Sequence, residues 1–194
     1  RPPASSMSGS IAVKDIKGDV SAESVSGNVQ IFNGGRITSA KSISGNVELN
    51  DTAIDGNFNA SSVSGSVILR RVKARQLDLG SISGEVLLED VESQQVEAQT
   101  VSGNLRFGGP VAKGGRYELS SHSGNVSVAL GGSTGFEVEA TSFSGSIRSD
   151  FTFNSGSGDS GNARWRKSIR GVYGDGSAIL DLTTFSGNIV ISKR

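Results

Sequence analysis

Apolar and polar residues alternate along this chain in short stretches, and the alternation repeats around a Ser-Gly pair. The second residue after each Gly is apolar, and the fourth is nearly always so. The seventh residue before it is usually apolar and the fifth is apolar or small. A period of two on both sides, with its phase broken at the Gly, predicts two short strands that meet at a bend. No window of a dozen residues shows a helical period, so we expect strands and turns almost throughout.

The Ser-Gly pair recurs at a nearly constant interval. Successive glycines are 18 to 21 residues apart, and the final two are 42 apart, which indicates a decayed repeat or a coil with an insertion; the glycines are Gly9, Gly27, Gly45, Gly65, Gly84, Gly103, Gly124, Gly145 and Gly187. One such unit cannot bury its own apolar residues, but stacked units can. We therefore predict an all-β, single-stranded parallel β-solenoid (β-helix) of nine to ten coils of 18–21 residues. The rule for parallel crossovers favours a right-handed winding.

Stacking places equivalent residues of successive coils in columns. We expect the column two residues before the Gly to face inward with the rest of the apolar core; it contains Val25, Ile43, Val63, Ile82, Val101, His122, Phe143 and Phe185. The Ser before the Gly and the Asn-rich position after it should point outward and form hydrogen bonds along their columns. The Gly itself is expected where a Cβ would clash at a corner.

The repeated Val-Ser-Gly-Asn-Val and Phe-Ser-Gly-Asn-Ile units, with the run over residues 174–189, resemble the bacterial adhesin-like β-strand repeat family. The resemblance covers roughly residues 8–192. It implies a β-solenoid that is exported or faces the cell envelope, and it supplies no catalytic residues, because the family is largely of unknown function. We divide the chain into a linker over 1–6 and one solenoid domain over 7–192, with an irregular coil or insertion at about 150–175.

Composition excludes several classes of function. The 194 residues contain 19 basic and 19 acidic side chains, so no overall basic field favours nucleic acid. There is no Cys and one His, which excludes disulfides and thiolate or His-rich metal centres. No apolar run reaches the length of a membrane helix. We expect no cofactor. The polar, Pro-containing start without an initiator Met adds to the expectation of an exported protein, in the periplasm or on the cell surface.

An acidic column is the first candidate binding site. The sixth residue before the Gly is acidic in four successive repeats, at Asp78, Glu97, Glu118 and Glu139. Like charges one strand spacing apart repel by about 1 kcal/mol before screening. Nearby Arg75, Lys113 and Arg116 are candidates to compensate them. The column is interpreted either as a site for Ca²⁺ or a basic partner, or as a solvated, charge-compensated face.

The only basic and aromatic cluster is the second candidate site. Arg164, Trp165 and Arg166 lie where the repeat is interrupted, and an exposed Trp beside Arg suits a sugar or an anionic glycan. The alternative is that Trp165 covers an irregular coil. Residues 156–161 match the dinucleotide glycine fingerprint and part of a serine-protease loop, but no helix follows and no catalytic His is positioned. We interpret them as a Gly/Ser loop.

These observations predict a non-catalytic, adhesin-like scaffold or binding module of the bacterial cell envelope or surface. Its stacked polar faces would meet a protein or glycan partner. The alternative is a β-helix enzyme that acts on polysaccharide, for which the stacked acids could supply a carboxylate pair. A Ca²⁺-binding repeat protein is a third possibility, but the Asp of its nonapeptide pattern is absent.

Overall fold

We analysed a computed structural model, which describes residues 4–153 and 167–194. Within these ranges the chain forms strands and turns and contains no helix. Strand assignments follow the chain order. The strands are β1 (Ala4–Ser8), β2 (Ile11–Lys14), β3 (Asp19–Ser26), β4 (Val29–Phe32), β5 (Arg36–Ser44), β6 (Val47–Ala53), β7 (Asn57–Ser62), β8 (Val67–Ser83), β9 (Val86–Glu89), β10 (Glu92–Ser102), β11 (Leu105–Pro110), β12 (Arg116–Ser123), β13 (Val126–Gly131), β14 (Phe136–Ser142), β15 (Ile147–Ser149), β16 (Ser168–Tyr173), β17 (Ala178–Ser186) and β18 (Ile189–Lys193).

The strands stack in two parallel ladders that meet at the Gly bends. The first ladder contains the strands before each bend, in the spatial order β1, β3, β5, β7, β8, β10, β12, β17 and β14. The second contains the strands after it, in the order β2, β4, β6, β8, β9, β11, β13, β18 and β15. The long strand β8 belongs to both. This arrangement confirms the predicted parallel β-solenoid.

The predicted number of coils is wrong. About six turns follow one another in chain order, from β1 to β13, against the nine to ten expected. Strands β17, β18, β14 and β15 complete the nine levels of the two ladders out of that order. The sequence count gave every Ser-Gly pair one turn of a continuous winding, but the C-terminal pairs do not follow one another in space. Strands β17 and β18 lie between the β12–β13 turn and the β14–β15 turn, and β16 runs antiparallel along β14.

The long interval between the last two glycines reflects this change of order. A Cβ added to Gly187 would overlap the carbonyl oxygen of Gly124, and one added to Gly145 would overlap that of Gly187. The level next to β12 and β13 is therefore occupied by β17 and β18, which come later in the chain. Strands β14 and β15, which follow β13 in the chain, form the level beyond it.

Close approach of successive turns explains the glycine column. The Gly45 position is typical, because an added Cβ would overlap the carbonyl oxygen of Gly27 in the turn below. The predicted clash is thus confirmed, and it comes from the neighbouring turn. The Asn column is also confirmed: the side-chain oxygen of Asn28 accepts a hydrogen bond from the Asn46 amide at 2.9 Å, and Asn125 does the same for Asn188 at 2.9 Å.

The core lies between the two ladders and is filled by the apolar positions on either side of the bend. Phe58, Leu69 and Leu119 are among its fully buried side chains. Tyr117 is also buried; its hydroxyl donates to the Ser93 carbonyl at 2.6 Å and accepts from the Ala112 amide at 2.9 Å. Burial raises the pKa of Tyr117 above its usual value. At the other end, β1 begins at Ala4 and pairs with β3, so residues 4–6 of the expected linker belong to a strand.

Candidate binding face

The apolar column two residues before the Gly faces solvent, which overturns its expected inward position. Its aliphatic and aromatic members in the described repeats are between 42% (Val63) and 67% (Phe143) exposed, and His122 is exposed as well. Met7 extends the column onto β1 and is 82% exposed. We call this column the apolar ridge; in spatial order it consists of Met7, Val25, Ile43, Val63, Ile82, Val101, His122, Phe185 and Phe143.

Regular alternation of the strand explains why the ridge points outward. From the Gly27 repeat onward, positions five and three before the Gly face the core, and the third is always Ser or Thr. Position seven also faces the core except in the Gly45 repeat, where Thr38 is exposed and the preceding Ile37 is buried instead. We call this buried column the hydroxyl ladder; it consists of Ser24, Ser42, Ser62, Ser81, Thr100, Ser121, Thr184 and Ser142. The next two residues, the ridge residue and the Ser before the Gly, then both lie outside.

Every hydroxyl in the ladder has an equivalent hydrogen-bond acceptor. It donates to the carbonyl oxygen of the Gly in the neighbouring turn, over distances from 2.8 Å (Ser142 to Gly187) to 3.2 Å (Ser24 to Gly9). A buried hydroxyl without a hydrogen bond would cost about 1–3 kcal/mol. The sequence signal for this ladder is the Ser or Thr two residues before each Ser-Gly pair, in the motif Ser/Thr-x-Ser-Gly. These hydroxyl side chains can therefore be buried, because each one donates a hydrogen bond to a Gly carbonyl oxygen.

The C-terminal end of the apolar ridge is an aromatic stack. The His122 and Phe185 ring centroids are 5.0 Å apart, and those of Phe185 and Phe143 are 4.8 Å apart, with 7° between the ring planes in both pairs. Because β17 lies between β12 and β14, Phe185 is the middle ring of the stack. The two neighbouring rings cover both faces of Phe185, which presents mainly its edge to solvent, while Phe143 at the end of the stack is the more exposed ring.

The four acids predicted to stack do share one column, but their order differs. The strand register pairs Asp78 with Glu97, Glu97 with Glu118, Glu118 with Asp181, and Asp181 with Glu139. Asp181 therefore separates Glu118 from Glu139. We call these five residues the acidic stripe. It lies on the same outward side of the first ladder as the apolar ridge, four residues away along each strand.

Charge compensation of the acidic stripe also differs from expectation. Arg170 of β16 lies 3.9 Å from Glu139, and Gln99 donates a hydrogen bond to Glu97 at 2.7 Å. Among the described residues, neither Arg75 nor Arg116 forms an ion pair with the stripe. The charge of Lys113 acts on Asp175, where hydrogen bonds from Ser177 are the main cause of a lowered pKa. Within the described ranges, no three acidic, His or Cys side chains form a group that could hold a metal ion.

Between the stripe and the ridge lies a column of mostly small polar residues. It contains Glu23, Lys41, Ser61, Gly80, Gln99, Ser120, Thr183 and Thr141. Two grooves of about 440 and 580 Å³ follow this column along the ridge. A Cβ added at Gly80 would touch nothing, so the surface is open there. We call the acidic stripe, this middle column and the apolar ridge together the ridge face.

The basic and aromatic cluster is the second predicted site. Arg164, Trp165 and Arg166, and the Gly/Ser segment over 156–161, lie outside the described residues. The ridge face is therefore the candidate site that the structure describes.

Comparison with known proteins gives one match. A family model described as Toastrack DUF4097 matches residues 4–192. No curated protein and no solved structure is found to be similar to the chain. Among the described residues, no helix is long and apolar enough to cross a membrane.

Proposed function

The chain belongs to the Toastrack DUF4097 family, and from this premise we propose that it is a non-catalytic binding module that holds a protein partner on its ridge face. The family is uncharacterised, so the proposal depends on the surface of this chain. The observation that carries it is the continuous exposed apolar ridge along the solenoid.

Single exposed apolar residues are common, but a contiguous apolar surface bordered by polar residues usually marks an interaction site. The ridge is such a surface, because one exposed apolar or aromatic residue comes from nearly every strand of the first ladder. The backbone behind it is fixed by parallel pairing and by the hydroxyl ladder. A rigid surface loses little conformational entropy when a partner binds, which favours affinity.

The geometry of the aromatic residues favours a protein partner over a glycan. Sugars are bound through the open face of an aromatic ring, but the faces of Phe185 are covered by His122 and Phe143. The remaining members of the ridge are aliphatic. A row of aliphatic side chains and ring edges complements the apolar surface of another protein, while the acidic stripe adds a charged border.

A test of this proposal is site-specific photocrosslinking in cells that carry the native gene. A photoreactive phenylalanine analogue at Val101, on the ridge, is compared with the same analogue at Val190, which is 36% exposed on the second ladder. We expect a discrete protein adduct from position 101 that is absent from position 190. Adducts of equal yield from both positions, or none from position 101, would contradict the proposal.

The adhesin-like role at the cell envelope is a finer part of the proposal. It is supported by the resemblance of the Ser-Gly repeats to the adhesin-like family. Immunoblotting of envelope, secreted and cytoplasmic fractions tests it, and recovery in the cytoplasm alone would count against it. Absence of catalysis is tested by incubating the protein with polysaccharides and measuring new reducing ends; their release in proportion to protein would favour the polysaccharide-acting alternative.

A further inference from the structure

We propose that the partner held on the ridge face is a second copy of this chain, with the two solenoids face to face and their long axes antiparallel. This inference rests on the proposed function, because it names the occupant of the same face. The expected assembly is an isologous dimer, in which a two-fold axis brings the same surface of both copies together. The axis would run along the strands and pass through the Ile82 level.

The regular spacing of the ridge is the first argument for a second copy. Ridge residues repeat at the strand spacing of about 4.8 Å along the solenoid. A helix or an irregular surface matches such a period over a few residues only. A second copy has the same period by construction, so its ridge side chains can fit between those of the first along the whole face.

The order of side-chain sizes along the ridge favours the antiparallel arrangement. Aliphatic residues occupy the N-terminal part, and the aromatic stack occupies the C-terminal part. With the axis at Ile82, Val63 of one copy opposes Val101 of the other, and Val25 opposes Phe185. Each ring of the aromatic stack therefore meets an aliphatic side chain of the other copy and no ring opposes another, so the two ends of the face complement each other. Gly80, beside the axis, leaves room for the two faces to approach.

The charge distribution favours the same arrangement. The acidic stripe occupies only the C-terminal part of its column, and the N-terminal part contains the uncharged Ser21, Ser39 and Asn59. An antiparallel copy places Glu97 opposite Asn59, and Glu118 opposite Ser39. Only Asp78 then meets itself across the axis. Like charges that are directly opposed across an interface oppose binding, so this arrangement limits repulsion to one level.

The size of the face is sufficient for a stable dimer. From the acidic stripe to the bend, each strand contributes six residues, or about 20 Å, and the stack of strands extends about 40 Å. The product is about 800 Å² on each copy, which is the usual contribution of one partner to a specific interface.

Oligomeric state is the first test. The wild-type chain should sediment with twice its monomer mass of 20.0 kDa at high concentration and dissociate on dilution. We expect Val101→Glu to remain monomeric, while Val190→Glu, the matched control on the second ladder, dimerises like the wild type. Circular dichroism shows whether each variant keeps its strands. A monomeric wild type at millimolar concentration, or a dimer that Val101→Glu does not weaken, would overturn the proposal.

Crosslinking then tests the orientation. The natural chain has no Cys, so each single Cys variant carries one thiol. Facing sheets lie about 10 Å apart, so a short bis-maleimide is a suitable crosslinker. We expect Ile82→Cys to crosslink to itself, and Val63→Cys to crosslink to Val101→Cys in a mixture. Efficient self-crosslinking of Val63→Cys alone would show parallel copies and overturn the antiparallel arrangement.

The inference and the proposed function can fail separately. If the chain is monomeric but position 101 captures a different protein in cells, the inference fails and the binding function stands. If the chain is monomeric and position 101 captures nothing, both fail.

Discussion

The hydroxyl ladder and the apolar ridge are adjacent columns of the same strands, and their polarity is the reverse of what their positions suggest. Ser81 is buried at 5% exposure, while Ile82, the next residue, is 51% exposed. The pattern recurs from β3 to β14. The same backbone geometry acts on both columns, so the difference lies in what each side chain contacts.

This comparison shows that the available partner determines which side chain is buried. A hydroxyl is stable inside because the Gly carbonyl of the neighbouring turn accepts its hydrogen bond. An Ile or Phe outside has no such partner, and about half of its surface remains in contact with solvent. We infer that the ridge serves an external contact. The substitutions below test the different roles of the hydroxyl ladder and the apolar ridge.

The largest effect is expected from Gly84→Ala, which disturbs the close approach on which both columns depend. The added methyl would overlap the carbonyl oxygen of Gly65 and lie 3.0 Å from Ser81 Oγ. Because the obstacle is backbone fixed by pairing on both sides, we expect a loss of about 3 kcal/mol or more in the free energy of unfolding. Urea denaturation measures it.

Gly80→Ala is the matched control, four residues earlier on β8. Its added Cβ would have no neighbour within 4 Å, so the free energy of unfolding should change little. If both variants unfolded at the same urea concentration, the turns would not be in contact at the glycine column.

Ser81→Ala should have the next largest effect, because it removes the buried hydroxyl that donates to the Gly65 carbonyl and leaves that oxygen without this hydrogen bond. We expect a loss of about 1–3 kcal/mol. Ser83→Ala, on the exposed column of the same strand, should be within about 0.5 kcal/mol of wild type. Ser81→Thr should be tolerated, since Thr100 makes the equivalent bond at 3.2 Å in the next turn. Equal losses from Ser81→Ala and Ser83→Ala would remove the distinction between the columns.

The class of fold could be predicted from the sequence, but the inward and outward sides of one column could not. Spacing of the Ser-Gly pairs gave the parallel solenoid, and the crowding at Gly and the Asn hydrogen bonds followed from it. The ridge was placed inside because Val, Ile and Phe are usually core residues. Continuing the alternation to Ser24 would have placed Val25 outside, but that requires knowing that the Gly carbonyl accepts the hydroxyl.

The order of the C-terminal strands was also beyond the sequence. Phe143-Ser-Gly-Ser-Ile and Phe185-Ser-Gly-Asn-Ile fit equally well above the Gly124 turn, because each offers the same hydroxyl, Gly and apolar positions. Local pattern therefore gives no preference for either order. The Asn column gives one indication of the order. Ser146, in the outermost turn, has no side-chain amide oxygen to accept a hydrogen bond from a further turn. However, Ser66 also lacks this oxygen and lies inside the stack, so the indication is not specific. For the same reason, the order of Asp181 and Glu139 in the acidic stripe could not be predicted.

Ile82→Ser sharpens the comparison from the exposed side. The side chain is about half exposed, so we expect its replacement to lower the stability of the monomer by about 1 kcal/mol. Its larger consequence is that the melting temperature should no longer rise with protein concentration, as it does for a chain whose folded form dimerises. If the melting temperature of the wild type did not depend on protein concentration, the ridge would not mediate self-association.

Glu97→Gln tests the charged border of the same face. Glu97 lies between Asp78 and Glu118 in the register, and the substitution removes both repulsions while keeping the oxygen that accepts from Gln99. We expect a gain of about 0.5 kcal/mol at low ionic strength that disappears in concentrated salt. Glu23→Gln is the control, because Glu23 pairs in register with Lys41 and its removal should not stabilise. A gain from both variants would show a general effect of net charge.

The smallest effect concerns an outward column in which side chains of successive turns pair with each other. Asp51 and Arg71 have left-handed backbone conformations at the corner of successive turns, and their side chains form an ion pair. The hydrogen bond from Arg71 holds the pKa of Asp51 below 3.8. A lowered pKa in the folded state means that the pair stabilises the fold above pH 3.8 and that this contribution is lost as the pH falls through the lowered value.

Asp51→Asn isolates this contribution, because Asn tolerates the same backbone conformation. We expect the urea midpoints of wild type and variant to differ slightly above pH 3.8 and to converge as the pH falls through the lowered pKa of Asp51. Asp55→Asn is the control, because Asp55 is exposed and forms no ion pair among the described residues, and its replacement should leave the urea midpoint unchanged. Since both side chains of the pair are more than half exposed, the difference should remain below that of Glu97→Gln. A column that pairs with itself would then contribute little to stability and leave nothing for a partner, in contrast to the ridge.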